Sequence, residues 1–144
     1  MTVEMAVIAP ILILMLFAAI ELGLIIRDTI GMHTLAHQAG RLAAKGRPPG
    51  DIVSNVSGTP SSLNSDALST TLEKMPFDED TGTFGSWTAL GNSGAINDAH
   101  NGDRIRVTIH YDHELVSGGV IPILVDDAEA GTSELTARII VRRE

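Results

Sequence analysis

The chain opens with a long apolar run. Residues 5–20 contain no charged side chain, and Glu21 is the only charged residue between Met5 and Arg27. At about 1.5 Å per residue, a helix over residues 5–26 reaches about 33 Å, which is enough to cross the hydrocarbon core of a bilayer. We therefore predict a membrane segment at residues 5–26. Pro10 falls inside it and predicts a kink or a local opening, because proline removes one helical hydrogen bond.

The helical pattern continues beyond the membrane-length segment. Small and apolar residues recur at helical spacing through residues 30–43, and Gly46 followed by Pro48 is a typical helix stop. The pattern predicts one helix of about 45 residues, roughly 67 Å long, with a break into two helices at Gly31 as the alternative. The small residues of its distal half allow another element to approach closely.

The remainder reads as a small α+β unit. Residues 104–111 and 134–142 alternate apolar and polar side chains, which predicts two strands. The predicted inward residues are Ile105, Val107, Ile109, Tyr111, Leu135, Ala137, Ile139 and Val141. We predict a helical turn at residues 51–56, a helix at residues 66–75, and a loop at residues 77–102 with one short strand around residues 84–90. Residues 114–125 form an apolar connection or a small helix.

These elements combine into a predicted α+β fold. A long N-terminal helix at residues 1–46 carries a small antiparallel sheet on its distal half, and residues 47–144 form the globular domain. The net charge of −8 argues against nucleic acid as a partner, because phosphate contacts need a basic patch. Cysteine is absent, which excludes disulfides, thiol catalysis and cysteine-based zinc sites.

The candidate metal and catalytic patterns are incomplete. His33 and His37 share a helix face, but no third ligand is evident, so we interpret them as surface residues. The segment DEDTGTFG lacks calcium-loop spacing and is interpreted as a solvated acidic loop. His110 and His113 lie at a strand end without a supporting constellation. Neither a G-x-S-x-G turn nor a phosphate-binding glycine loop occurs, so we expect no enzyme activity, no metal and no cofactor.

The two glutamates of the apolar run allow two interpretations. A carboxylate in hydrocarbon costs at least a few kcal/mol, so each needs a partner. In a plain membrane anchor, Glu4 lies among the headgroups and Glu21 lies at the opposite interface. In a helix that leaves the membrane to pack against copies of itself, Glu4 neutralises the N-terminal ammonium of a neighbouring subunit.

Three stretches resemble TadE-like pseudopilins of the tight-adherence type. They are TVEMAVIAPILILMLFAAIELG, LAHQAGRLAAKG, and the pair VTIHYDHEL and ELTARIIVRRE. The first stretch matches that family at a glutamate, a proline and a second glutamate–hydrophobic–glycine step. The matching residues are Glu4, Pro10, and the pair Glu21 and Gly23. One departure is that pilins carry the glutamate as the fifth mature residue, which puts Met1 as the mature N-terminus in doubt.

The resemblance implies a pilin-like fold and a structural function. It implies a homo-oligomer in a helical filament, other pilins as partners, or both, with a place in the filament or in its tip or base complex. The residues that would serve assembly are Met1, Glu4, Pro10 and Glu21. It also implies cleavage by a prepilin peptidase and contact with an inner-membrane assembly platform. The protein would lie in the bacterial inner membrane before assembly and afterwards in an extracellular pilus.

The alternative is a single-pass membrane-anchored envelope protein that never polymerises. Its acidic domain would then bind a separate partner. The basic residues that follow the apolar run predict a cytoplasmic domain by the positive-inside rule, which conflicts with export. We expect a short basic leader ending in glycine upstream of Met1 if the pilin interpretation is correct.

Overall fold

The computed structural model describes residues 2–59, 61–116 and 131–144, with side chains from residue 5 onward. It has an α+β, pilin-like fold, as predicted. The helices are α1 (Thr2–Ala44) and α2 (Pro49–Gly58), with a short 3-10 helix at Ser65–Ala67. The strands are β1 (Leu68–Met75), β2 (Phe77–Asp78), β3 (Thr83–Phe84), β4 (Thr88–Ala89), β5 (Asn92–Ser93), β6 (Ile96–Asn97), β7 (Arg104–Glu114) and β8 (Thr132–Arg142).

Helix α1 is continuous through Pro10 and through Gly31, so the alternative of two helices is wrong. It ends as the sequence predicts. Gly46 adopts φ +82°, a conformation that glycine reaches without a Cβ penalty. Its N–H bonds the Ala43 carbonyl at 3.0 Å, and the Arg47 N–H bonds the Leu42 carbonyl at 3.1 Å. These two bonds form a Schellman motif, which satisfies carbonyls that the helix leaves unpaired.

The main sheet is antiparallel in the order β4-β1-β7-β8. Strand β7 is central, with Leu72 of β1 opposite Val107 and Ile139 of β8 opposite the same residue. The distal half of α1 packs on β7 and β8. The apolar connection predicted at residues 114–125 lies mostly outside the described residues.

The core fills the space between α1, α2 and the sheet. Strand β7 supplies the inward residues Ile105, Val107, Ile109 and Tyr111, as predicted from the alternation. Helix α1 contributes Met32, Leu35, Ala36, Ala39 and Ala43, and α2 contributes Ile52 and Val56. A Cβ on Gly40 would lie 3.0 Å from Val141 and 3.3 Å from Ile139, so the small residues of α1 allow the helix to approach β8 closely.

Two of the predicted elements are wrong. Residues 68–75 form strand β1 and not a helix, because Leu68–Met75 pairs over its whole length with β7. The predicted loop at residues 77–102 holds five two-residue strands instead of one short strand. The helical turn predicted at residues 51–56 is confirmed as part of α2.

The end of α1 is bound to the rest of the domain by side chains. Asn97, which is 1% exposed, donates from Nδ2 to the carbonyls of Ala43 at 2.9 Å and Arg47 at 3.0 Å. Arg143 donates to the carbonyl of Ala44 at 2.7 Å. These side-chain bonds join the C-terminal end of α1 to β6 and to the residues after β8, in addition to the backbone bonds that the Ala43 and Ala44 carbonyls accept from Gly46 and Glu144.

Candidate assembly site

The first half of α1 exposes apolar side chains on all sides. Eleven large hydrophobic residues between Met5 and Ile20 are 43–66% exposed. They are Met5, Val7, Ile8, Ile11, Leu12, Ile13, Leu14, Met15, Leu16, Phe17 and Ile20. A helix that is hydrophobic all round needs an apolar environment on every side. By length and composition, Met5–Ala44 contains a stretch that can cross a membrane.

The predicted assembly residues occupy different positions relative to this exposed segment. Met1 and the side chain of Glu4 lie outside the described residues, so their assembly roles stay predictions. Pro10 is exposed within the apolar segment. Glu21 is fully buried at the point where α1 enters the domain.

Glu21 belongs to a buried polar cluster at the junction between helix and sheet. Asp28 follows it by seven residues, about two helical turns, so both carboxylates lie on the same face of α1. Strand β7 brings His113 between them. The side chains of Glu21, Asp28 and His113 are 1%, 2% and 4% exposed.

The contacts in this cluster join the helix to the end of β7. His113 Nδ1 lies 2.8 Å from Asp28 Oδ2 in a hydrogen bond. His113 Nε2 lies 3.5 Å from Glu21 Oε1, within ion-pair range but without hydrogen-bond geometry, so this nitrogen is unsatisfied among the described residues. The Val116 N–H donates to Glu21 Oε1 at 3.1 Å.

Arg27 adds a cation at the rim of the cluster. It donates to Asp28 Oδ1 at 2.8 Å from Nε, while its own side chain is 52% exposed. Buried carboxylates need such partners, because an unpaired charge in a low-dielectric interior is costly. The cluster therefore connects the end of β7 to α1 immediately after the exposed apolar segment.

The prediction that His113 lacks a supporting constellation is wrong. The inward parity of β7, which runs through Ile105 and Tyr111, continues to residue 113 and places this histidine under α1. His110 has the opposite parity, and its Nδ1 contacts Glu134 at 2.7 Å near the surface. Asp28, which the sequence interpretation passed over, is detectable as the second acidic residue at heptad spacing from Glu21.

The other candidate ligands lie apart from the cluster. His33 and His37 are exposed on α1, as expected for surface residues. Asp78 accepts hydrogen bonds from the Thr81 hydroxyl at 2.7 Å and the Asp80 N–H at 3.0 Å. The Thr81 bond is the main reason why the pKa of Asp78 lies below its ordinary value. Within the described ranges, no group of three or more acidic or histidine side chains is placed to hold a metal ion.

The comparison with known proteins finds a family match at helix α1. Residues 1–41 match the family model described as TadE-like protein, which confirms the resemblance over that stretch. The match covers 41 of the 144 residues and ends inside α1. Searches of curated proteins and of solved structures find no match. The match and the exposed apolar helix together fit a pilus-associated, membrane-anchored protein.

Proposed function

We propose, on the premise that residues 1–41 are TadE-like, that this chain is a structural subunit of a bacterial Tad-type pilus. Its role is assembly and not catalysis. The observation that carries the proposal is the exposed apolar segment of α1, which the domain leaves uncovered between Met5 and Ile20. Lipid surrounds this segment before assembly, and the helices of sister subunits surround it in the filament.

Packing between helices drives the transfer out of the membrane in this proposal. Burial from water contributes about 1.5 to 3 kcal/mol per large apolar side chain, which prevents the segment from remaining in solvent. Lipid is equally apolar, so the filament must gain from van der Waals contact and from polar pairs that lipid does not offer. Glu4 supplies such a pair by contacting the N-terminal ammonium of a neighbour, which sets the axial register.

The buried position of Glu21 refines its part in assembly. Its side chain is held within the subunit by Val116 and His113. We propose that Glu21 acts by fixing the distance between the domain and the exposed segment. Every subunit then presents its domain at the same height above the shared helical core.

The proposal implies a route through the cell. A prepilin peptidase would process the chain in the bacterial inner membrane, and an assembly platform would extract it into an extracellular filament. The competing function is an envelope protein whose helix stays in lipid as a permanent anchor. The two differ in whether the apolar segment ever contacts other copies.

Glu4→Ala tests the proposal directly. We expect the variant to remain in the membrane fraction at the wild-type level and to form no filaments in negative-stain images of sheared surface material, because the register contact is lost. Asp66→Ala is the matched control, since Asp66 is an exposed acidic residue of the domain. Normal piliation in Glu4→Ala would contradict the register contact, and wild-type protein found only as single copies in the membrane would favour the permanent anchor.

A further inference from the structure

The sheet face that points away from α1 carries a cluster of arginines. Arg104 and Arg106 alternate with the buried Ile105 on β7, so they lie on the outer face. On β8 the exposed Arg138 and Arg142 lie on the same face, with Arg142 directly opposite Arg104. We call Arg104, Arg106, Arg138 and Arg142 the arginine face. It holds four of the ten basic residues of a chain whose net charge is −8.

Aromatic rings hold two of these guanidinium groups in place. Arg104 Cζ lies 4.0 Å from the centre of the Phe84 ring, and Arg106 Cζ lies 4.2 Å from that of Trp87. A guanidinium stacked on a ring keeps its N–H edges available to a carboxylate and loses less entropy on binding one. The arginine face is therefore partly ordered before any partner binds.

The positive charge of this face is poorly compensated by the carboxylates of the residues that the structure describes. Glu73 pairs with Arg106 at 2.6 Å. Among the described residues, Arg104, Arg138 and Arg142 have no carboxylate partner within ion-pair distance. Arg104 and Arg142 face each other across the strands at a Cα separation of about 5 Å, and like charges in that position are destabilising. An anionic partner at this face would relieve that repulsion.

The chain carries a matching acidic group on a nearby hairpin. Strands β2 and β3 pair through Phe77 and Phe84, and the turn between them exposes Asp78, Glu79 and Asp80. We call these three residues the acidic turn. Phe84 lies under Arg104, so the hairpin starts at the same end of the sheet as the arginine face. The hairpin that carries the acidic turn therefore begins beside Arg104, at one end of the arginine face.

We propose that the arginine face binds the acidic turn of a neighbouring copy of this chain. The inference rests on the proposed function, because it places the two copies side by side with parallel helices. A contact between two different patches is heterologous, so it repeats from copy to copy and produces an open helical assembly when the rotation between copies does not close a ring. Charge complementarity within one chain, with the acidic turn on a hairpin that begins beside Arg104, favours a second copy over an unrelated acidic ligand.

Reciprocal charge reversal tests the contact in the full chain. Arg138→Glu with Arg142→Glu reverses one side, and Glu79→Lys with Asp80→Lys reverses the other. We expect each pair to raise the subunit concentration needed for filaments about 2- to 30-fold, the range for losing two exposed ion pairs. The four substitutions together should restore much of the loss. Asp51→Lys with Asp66→Lys, a reversal of two exposed acidic residues elsewhere, should have little effect.

Disulfide trapping gives a second readout, because the chain has no cysteine of its own. A chain with Glu79→Cys and Arg142→Cys should form a ladder of covalent multimers in filaments under oxidation. Two single variants should form dimers only when they are mixed. Ser54→Cys with Arg142→Cys is the control, since Ser54 is exposed on α2 and should yield no ladder.

Three results would overturn the inference, and they are distinguishable. Filaments at the wild-type concentration from both one-sided reversals, without a disulfide ladder, reject this contact and leave the proposed function intact. Absence of filaments from the wild-type chain rejects the proposed function and this contact together. Binding of the chain to an immobilised polyuronate that Arg138→Glu with Arg142→Glu abolishes, with unchanged filament formation, would assign the arginine face to an acidic polysaccharide instead.

Discussion

Replacing His113 with alanine should destabilise the domain more than any surface substitution. The change removes the side chain that contacts both buried carboxylates, those of Glu21 and Asp28. Removing one partner from a buried ionic group costs about 3 to 5 kcal/mol. A domain of this size has a free energy of unfolding of about 5 to 15 kcal/mol, so the loss is a large fraction of the total.

Urea unfolding of the full chain in detergent micelles measures this loss. Trp87 is the only tryptophan and packs on Arg106, so its fluorescence reports the folding of the sheet. The matched control is His110→Ala, which removes a histidine from the outer face of the same strand. Its contact with Glu134 is near the surface, so we expect a loss below about 1 kcal/mol. The m-value, which is the slope of the unfolding free energy against urea concentration, should stay the same in both variants, since the surface exposed on unfolding is unchanged.

A triple variant separates lost charge pairing from lost volume. Glu21→Leu, Asp28→Leu and His113→Leu together remove all three buried polar side chains of the cluster. Well-packed apolar replacements of buried ionic groups are often neutral or stabilising, so the triple variant should be more stable than His113→Ala. A loss under about 1 kcal/mol for His113→Ala, equal to that of His110→Ala, would refute this reasoning.

Two further predictions concern packing and pH. Gly40→Leu should lower the free energy of unfolding in urea by about 1 to 3 kcal/mol, because a Cβ at this position would already press on Val141 and Ile139. Gly23→Leu is the control and should not destabilise the domain, because a Cβ there would meet no atom within 4 Å. Burial alone would raise the pKa of Asp98, but hydrogen bonds from Lys74 and the Gly91 N–H lower it below 3.8 overall. Its stabilising effect is therefore complete above that unfolded value and is lost as the pH falls through the lowered folded value. Between pH 5 and pH 2, the free energy of unfolding of Asp98→Asn should fall less than that of the wild type. An equal fall in the two proteins would contradict this contribution of Asp98.

The parts of the fold that follow a strong period were predictable. The inward residues of β7 are fixed by alternation, and the stop at Gly46 follows from backbone chemistry that glycine permits. Strand β1 was not predictable in the same way. Its residues Leu68, Leu72 and Met75 have helical spacing, and only the pairing with β7 makes the segment extended. Tertiary pairing therefore overrides a local pattern here.

The buried cluster illustrates a second limit. Its members come from residues 21, 28 and 113, and no local pattern links a helix residue to a strand residue that lies far along the chain. Each half was nonetheless detectable on its own. Heptad spacing places Glu21 and Asp28 on one face, and continued parity turns His113 inward. The sequence does not reveal where along α1 the sheet packs, and this position is what brings His113 to Glu21 and Asp28.

The domain is bonded to the distal half of α1 at two widely separated places. The Glu21 cluster holds one end, and the bonds from Asn97 and Arg143 hold the other. A tensile load along the helix is thus shared by both attachments and by the apolar contact between them. Such an arrangement resists shear, since its bonds must fail together rather than peel one after another. A force applied to the exposed apolar segment would then move the whole subunit before its sheet begins to unfold.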